Sequence, residues 1–211
     1  VSQLGREEET IVVGSSGNLQ SSGPNCHPYW FPLNCSGRTM MMAGLGYALR
    51  QDLGTSVYQI SSDFLWPQDM VEEAQEYIIP EFGGEDLGNS FVPFGETDFA
   101  SQLTTAQDSG ADIVSLNAYG NDLINLANQA WEFGLPQDGT VLVSPQGDIT
   151  ISEGYDPALR AHENFLQGME WYHGFDSDAT RELTQMFRDE YDRAPAWTAG
   201  LSYNHTMTYL E

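Results

Sequence analysis

The hydrophobic pattern is clearest between Gly84 and Leu135, where short apolar runs alternate with stretches whose apolar residues recur every three or four positions. Phe99, Leu103 and Ala106 fall at i, i+4 and i+7 behind Thr97 and Asp98, a pair that reads as a helix start, and Gly110 stands where a left-handed cap closes the helix. The apolar run from Ile113 to Leu116 predicts a buried strand. A second helix then places Leu123, Ile124, Ala127, Ala130 and Trp131 on its buried side and closes at Gly134, with Pro136 just beyond. Strand, helix, strand, helix in strict alternation predicts α/β architecture, a parallel sheet covered by helices.

The pattern extends in both directions. A helical opening over 1–9 leads to a strand at Ile11 to Val13, and the Gly-, Ser-, Asn- and Pro-rich stretch over 14–34 reads as loop. A helix is predicted from Arg38 to Asp52, with Met41, Leu45, Ala48 and Leu49 on one face and Gly54 closing it. Val57 to Ile60 is the next strand. Pro67 is expected at the first position of the helix that follows. In that helix Met70, Val71, Ala74, Tyr77 and Ile78 pack inward, Asp69, Glu72 and Glu73 complement the N-terminus, and Pro80 stops the run. Thr140 to Val143 is a further strand, 144–157 reads as loop, and Phe165 to Phe175 as a strand and crossover. The last predicted helix, Asp178 to Tyr191, carries Leu183, Met186, Phe187 and Tyr191 on its apolar side.

Charge changes the picture of partners rather than of fold. There are 31 acidic residues against 7 basic ones, all of them Arg, for a formal net charge of −24. Such a surface repels the phosphate backbone, so nucleic acid is excluded as a partner. The acids are dispersed over every helix, and Lys is eliminated, which points to a protein built for high salt, where screening removes the self-repulsion; a merely acidic mesophilic protein is the alternative. The chain has no run of about 18 apolar residues that could span a membrane as a helix. The chain starts at Val1 inside an apparent helix, so the native N-terminus is expected to be missing. Cys26 and Cys35 can form a small-loop disulfide, stay free, or pair with a cysteine elsewhere.

Several segments together resemble a known family. GGE at 83–85, Pro93 followed by GETDF at 95–99, ADIV at 111–114, GND at 120–122 and QAWEFGL at 129–135 are similar to the second lobe of type I solute-binding proteins. These are the branched-chain amino-acid, amide and urea receptors of ABC importers. SSDFLWPQDM at 61–70 resembles the family's strand-to-helix turn, and FLQGMEWYHGF at 165–175 with the segment over 180–210 resembles the return to lobe one. The likeness covers most of 57–211, with weaker support from EEETIVVGSSG near the start. It implies a two-lobe fold divided as part of lobe one over 1–56, lobe two over 57–175 and the return over 176–211. Such receptors are typically much longer, so part of lobe one is expected to be absent. Where the family has a helix and strand after the GSS turn, this chain goes almost directly to NCHPYWF.

In an open parallel sheet, ligands collect beyond the carboxyl ends of the strands. That rule selects Ser15 and Ser16, after the first strand, as hydroxyl and N–H donors, against the alternative of a self-bonded turn. Trp66 follows the Val57 strand at a position where the family often sets an aromatic over its ligand; the alternative is a core Trp. Tyr119, with Asn117 and Asn121 beside it, resembles a second ligand-side position. Gln167 occupies a place that is commonly acidic in the amino-acid-binding members, where the acid pairs with the ligand's ammonium; a buried ammonium without a counter-charge is costly, so the amide favours an amide, a carboxylate or an aromatic acid.

Enzyme chemistry lacks a motif. GSSG is not the G-x-S-x-G elbow, and His27, His162, His173 and His205 do not form a metal-ligand pattern such as H-E-x-x-H. Asn34 and Asn204 open weak glycosylation sequons. No cofactor or metal is called for. The expectation is a monomeric receptor, periplasmic, extracellular or cell-surface, tethered to the membrane through the missing N-terminus. It captures a small solute between lobes for an ABC permease. A ligand sensor of the same fold is the alternative, and a hydrolase on an α/β scaffold a more distant one.

Overall fold

The computed structural model describes residues 1–14, 20, 23–32 and 35–210. It divides into two compact units, Val1–Ser36 with Glu170–Glu211, and Gly37–Met169. The chain therefore passes between units twice, at 36/37 and at 169/170. The sequence reading placed these divisions at 56/57 and 175/176.

The smaller unit opens with helix α1 (Ser2–Glu7) and strand β1 (Val12–Gly14), which pairs in parallel with β2 (Trp30–Pro32). β2 corrects the reading of 14–34 as continuous loop. A three-residue strand ending on Pro32 is too short for a periodicity to register, and Val12 N–H is already bonded to the Tyr29 carbonyl at 2.8 Å before the ladder begins.

In the larger unit, helix α2 is built from Gly37–Met41, a π-helical turn Met42–Gly46 and Tyr47–Arg50. Asp52, at φ 55°, supplies the left-handed residue after it, not Gly54. Gly54 is needed for close approach instead, since a Cβ there would lie 2.5 Å from that of Asp112. After β3 (Ser56–Ser62), helix α3 combines Leu65–Glu73, a second π-helical turn Ala74–Ile78 and Ile79–Glu81. It starts two residues before Pro67, whose missing N–H costs nothing in a first turn, and it passes Pro80. The π turn accomplishes this by sending the Ile79 N–H back five residues to the Ala74 carbonyl.

The remaining elements of this unit are β4 (Glu85–Val92), α4 (Ala100–Ser109), β5 (Ile113–Asn117), α5 (Asn121–Glu132), β6 (Val141–Ser144), α6 (Ile149–Ser152), α7 (Pro157–Arg160) and β7 (Phe165–Gln167). The five strands form one all-parallel sheet in the order β4-β3-β5-β6-β7. Tyr58, Ile60, Val114, Leu116, Leu142 and Phe165 pack from one face into a cluster with Phe99, Leu103, Leu123, Leu126 and Ala130 of α4 and α5. The other face lies under α2 and α3, whose Met41, Leu45, Met70, Ala74 and Ile78 are fully buried. Gly110 caps α4 at φ 69°, as its position predicted. The segment over 144–157 is not all loop: Asp148 and Asp156 cap the short helices α6 and α7 through the Thr150 and Ala158 N–H groups.

The return through the smaller unit holds α8 (Asp178–Tyr191), spanning the predicted range, with Ser177 accepting from the Thr180 N–H at its start. It ends in α9 (Trp197–Leu210), for which the sequence gives no apolar stripe, and among whose residues only Gly200 is buried.

Candidate functional site

The carboxyl edge of the five-stranded sheet gathers three of the five sequence-selected residues. β3 and β5 are neighbours, so the segments carrying Trp66 and Tyr119 leave adjacent strands, and Gln167 ends β7 two strands further along, on the order of 10 Å away at normal strand spacing. Ser15 and Ser16 lie outside the described residues.

Trp66 sits in the first turn of α3, not in the loop before it, and is half-buried. Its ring stacks against Phe64 at a centroid distance of 6.2 Å, and Phe64 meets Phe94 edge-on at 5.4 Å. Phe94, from the loop after β4, is 67 % exposed, so this aromatic group is an edge feature and not part of the core. Tyr119 is also exposed, at 39 %. The Gln167 side-chain oxygen accepts from the Ser152 hydroxyl at 2.9 Å, which leaves its NH2 group as the free function.

Below Tyr119 the edge is polar and rigid. Asn117 donates to Gln59 at 3.0 Å and to Ser61 at 3.0 Å, and its carbonyl accepts from the Ser115 hydroxyl at 2.8 Å. All four are buried. Asp122 accepts from the Gly95 N–H at 2.8 Å, tying the loop after β4 to the start of α5. After β6, Pro145, Gln146, Gly147 and Asp148 are all buried. Gly147 N–H donates to the Gly168 carbonyl, and a Cβ at Gly147 would be 3.0 Å from that of Gln167, so the loops after β6 and β7 pack backbone against backbone. Gln146 was missed because S-P-Q-G reads as turn chemistry; its place at the end of a buried strand is what marks it.

The edge is electrostatically one-sided. No Arg lies between Arg50 and Arg160, and the edge carboxylates of Asp122 and Asp148 are engaged with backbone donors. Neutral amides, hydroxyls and aromatic faces stand there beside the exposed Asp63, which accepts from the Gln68 amide at 2.7 Å. A separate surface cleft, lined by Gln107, Asp112, Asp138 and Thr140, opens at the opposite, amino-terminal edge. Asp112 there accepts from the Thr55 and Ser56 N–H groups, which hold its pKa below the usual value. It serves as a structural tie between β3 and β5.

Elsewhere, Cys26 is exposed and Cys35 half-buried, and both are free thiols, not a disulfide. Burial, and then the charge of Glu170, push the Cys35 thiol up. His27 shares a 3.0 Å hydrogen bond with the Ser2 hydroxyl and His162 accepts from the Asn164 N–H, so both are structural. Among the described residues no three His, Cys, Asp or Glu side chains are grouped to hold a metal ion.

The sheet is parallel with helices on both faces, and the family model for periplasmic binding protein matches residues 1–211; the chain belongs to that family, with the type I fold. Among solved structures, the amino acid ABC transporter substrate-binding protein from Pseudomonas fluorescens Pf-5 superposes with a TM-score of 0.85 at 19% identity, covering 97% of this chain and 53% of that one. A solute-binding protein of R. palustris in complex with benzoate gives 0.83 at 14% identity, over 96% and 55%. The leucine-binding protein of Thermotoga maritima MSB8 gives 0.76 at 15%, over 98% and 58%. The chain thus spans about half the length of these structures. No curated protein matches the sequence.

Proposed function

We propose that this chain is the greater part of one lobe, with a portion of the other, of an ABC-importer solute receptor. It captures a small amino-acid-like, amide or aromatic carboxylate solute outside the cytoplasm and presents it to a permease. The observation that carries this reading is the composition of the carboxyl edge: Trp66, Tyr119, Gln146 and Gln167 bring aromatic faces and neutral amides to the place where open parallel sheets bind ligands. Solved relatives of the same fold are described as amino-acid, leucine and benzoate binders, which brackets the solute classes worth testing. Binding and lobe closure need no covalent chemistry. Ser15 and Ser16 are assigned to the same ligand, from lobe one. The lobes divide in this reading as 1–56, 57–175 and 176–211. Monomeric state, membrane tethering and adaptation to high salt belong to the proposal as well.

Trp66→Ala should weaken solute binding about tenfold or more, because a stacking aromatic contributes on the order of 1–3 kcal/mol of contact in a desolvated site. Intrinsic fluorescence titration of the full-length protein in molar salt reads this directly. Unchanged affinity removes Trp66 from the site.

A further inference from the structure

Two helices of the larger unit each contain a π-helical turn, and the turns lie against each other, Met42–Gly46 of α2 beside Ala74–Ile78 of α3. Such turns are rare and frequent at functional positions. The turn in α3 carries that helix past Pro80, but α2 has no proline to explain its own. Between the helices lies a surface cleft of about 530 Å³, lined by Arg38 and Met42 from α2 and by Glu76, Tyr77, Glu81 and Phe82 from α3 and its end. The volume is that of a small-molecule site, and every lining residue belongs to one unit. Gly46 lets two of the lining side chains converge: a Cβ there would be 2.6 Å from the Met42 sulfur and 3.3 Å from the Phe82 ring. Met42 and Tyr77 are 39 % and 44 % exposed, so thioether and aromatic surface is left facing solvent where the core does not use it.

The charges of the cleft select its occupant. The Arg38 guanidinium makes a two-point contact with the buried Glu73 carboxylate and lies 3.8 Å from the centre of the Tyr77 ring. Its charge is therefore matched, and the charges that remain are the exposed Glu76 and Glu81 carboxylates, on a chain of net charge −24. An anion is repelled there. A bare metal ion is a poor match as well, since among the described residues no three His, Cys, Asp or Glu side chains are grouped, and ring carbons and a thioether do not replace the oxygen shell of a hard cation. An ammonium group on an apolar body matches both parts of the lining: its charge faces the two carboxylates, and its methyl or methylene groups meet Met42, Tyr77 and Phe82. We propose that this cleft is a binding site for a small organic ammonium ion. It shares no residue with the carboxyl edge and does not rest on the solute-binding reading above.

Calorimetric titration of the full-length protein with choline and benzyltrimethylammonium, against the uncharged choline isostere 3,3-dimethylbutan-1-ol at constant ionic strength, tests the assignment. Choline should bind about tenfold or more tightly than the alcohol, because only the cation gains from the carboxylates and the ring faces. Glu76→Gln combined with Glu81→Gln should weaken choline roughly fivefold or more, and Tyr77→Leu should do the same while Tyr77→Phe, which keeps the ring, does not. These are exposed positions, so the variants should melt close to the parent chain; should Tyr77→Leu fail to fold, the two glutamate substitutions decide. Equal binding of the alcohol, or no saturable choline binding up to about 50 mM, overturns the assignment. Choline binding that survives all of these substitutions but is lost in Trp66→Ala places the cation at the carboxyl edge, which overturns the cleft and leaves the solute receptor standing.

Discussion

The two units differ in how their buried polar groups are satisfied. In the larger one, the Gln59, Ser61, Ser115 and Asn117 side chains bond one another inside the sheet layer, and Asp122 and Asp148 bind backbone N–H groups. The smaller unit nevertheless holds five of the eight buried side-chain atoms without a partner among the described residues: the Trp30 and Trp197 indole nitrogens, His205 Nε2 and both Glu170 oxygens. It also leaves Leu4, Ile11, Phe31, Tyr209 and Leu210 exposed. The larger unit leaves three such unpartnered atoms, Gln59 Nε2, Gln102 Oε1 and the Tyr155 hydroxyl, beside a continuous core; the smaller leaves more of them. Stability should therefore reside in the larger unit, and sensitivity to pH in the smaller.

The largest expected effect is in the larger core. Leu116→Ala, at a fully buried position in the central strand, should cost about 3 kcal/mol in denaturant unfolding. Tyr209→Ala, at a 65 % exposed position in α9, should stay within about 0.5 kcal/mol. Comparable losses at the two positions would erase the contrast between units.

Next is Asn117→Ala, which strips Gln59, Ser61 and Ser115 of their shared partner and should cost about 2–3 kcal/mol. A neutral result in thermal unfolding would mean that water enters and re-satisfies the layer.

The smallest effect is the most specific to the smaller unit. Glu170 is raised from its ordinary value of 4.5 to about 7 in the folded chain. Between these values the unfolded chain has released a proton that the folded one keeps, so stability falls as pH rises, and the loss is complete above about 7. Glu170→Gln should remove that loss, gaining about 1–2 kcal/mol at pH 8 after discounting for partial solvent access, and nothing at pH 4. A gain that is the same at both pH values would point to packing instead of charge.

How much was legible follows the same division. The pattern over 84–135 predicted the larger unit well because its helices are amphipathic and its strands apolar: Gly110 marked a real left-handed cap and Phe99, Leu103 and Ala106 a real buried face. Terminators were read less well. Pro80 and Gly54 look like stops, yet a π-helical turn carries α3 past Pro80, and Gly54 answers to Asp112 and not to a cap. The caps Asp148 and Asp156 were hidden in a turn-rich stretch because four-residue helices show no periodicity. β2 and α9 escaped for the complementary reason, one too short and the other without a stripe. At the carboxyl edge, strand ends and the family resemblance together select Trp66, Tyr119 and Gln167 as the proposed ligand side. Gln146 could not be selected, since it resembles a turn residue until its burial is seen.

The central claim, a receptor that binds a small solute and leaves it unchanged, is tested most directly by thermal unfolding of the full-length protein in molar salt. The panel is amino acids, short amides, urea and aromatic carboxylates, each followed by product analysis. Binding to the folded state alone raises the melting temperature by mass action, by about 2.7 kcal/mol of added stability at one hundred times the dissociation constant. The account predicts such a shift with one solute class and intact solute recovered. A shift accompanied by turnover would make the protein an enzyme, and no shift with any class would contradict a receptor for these solutes.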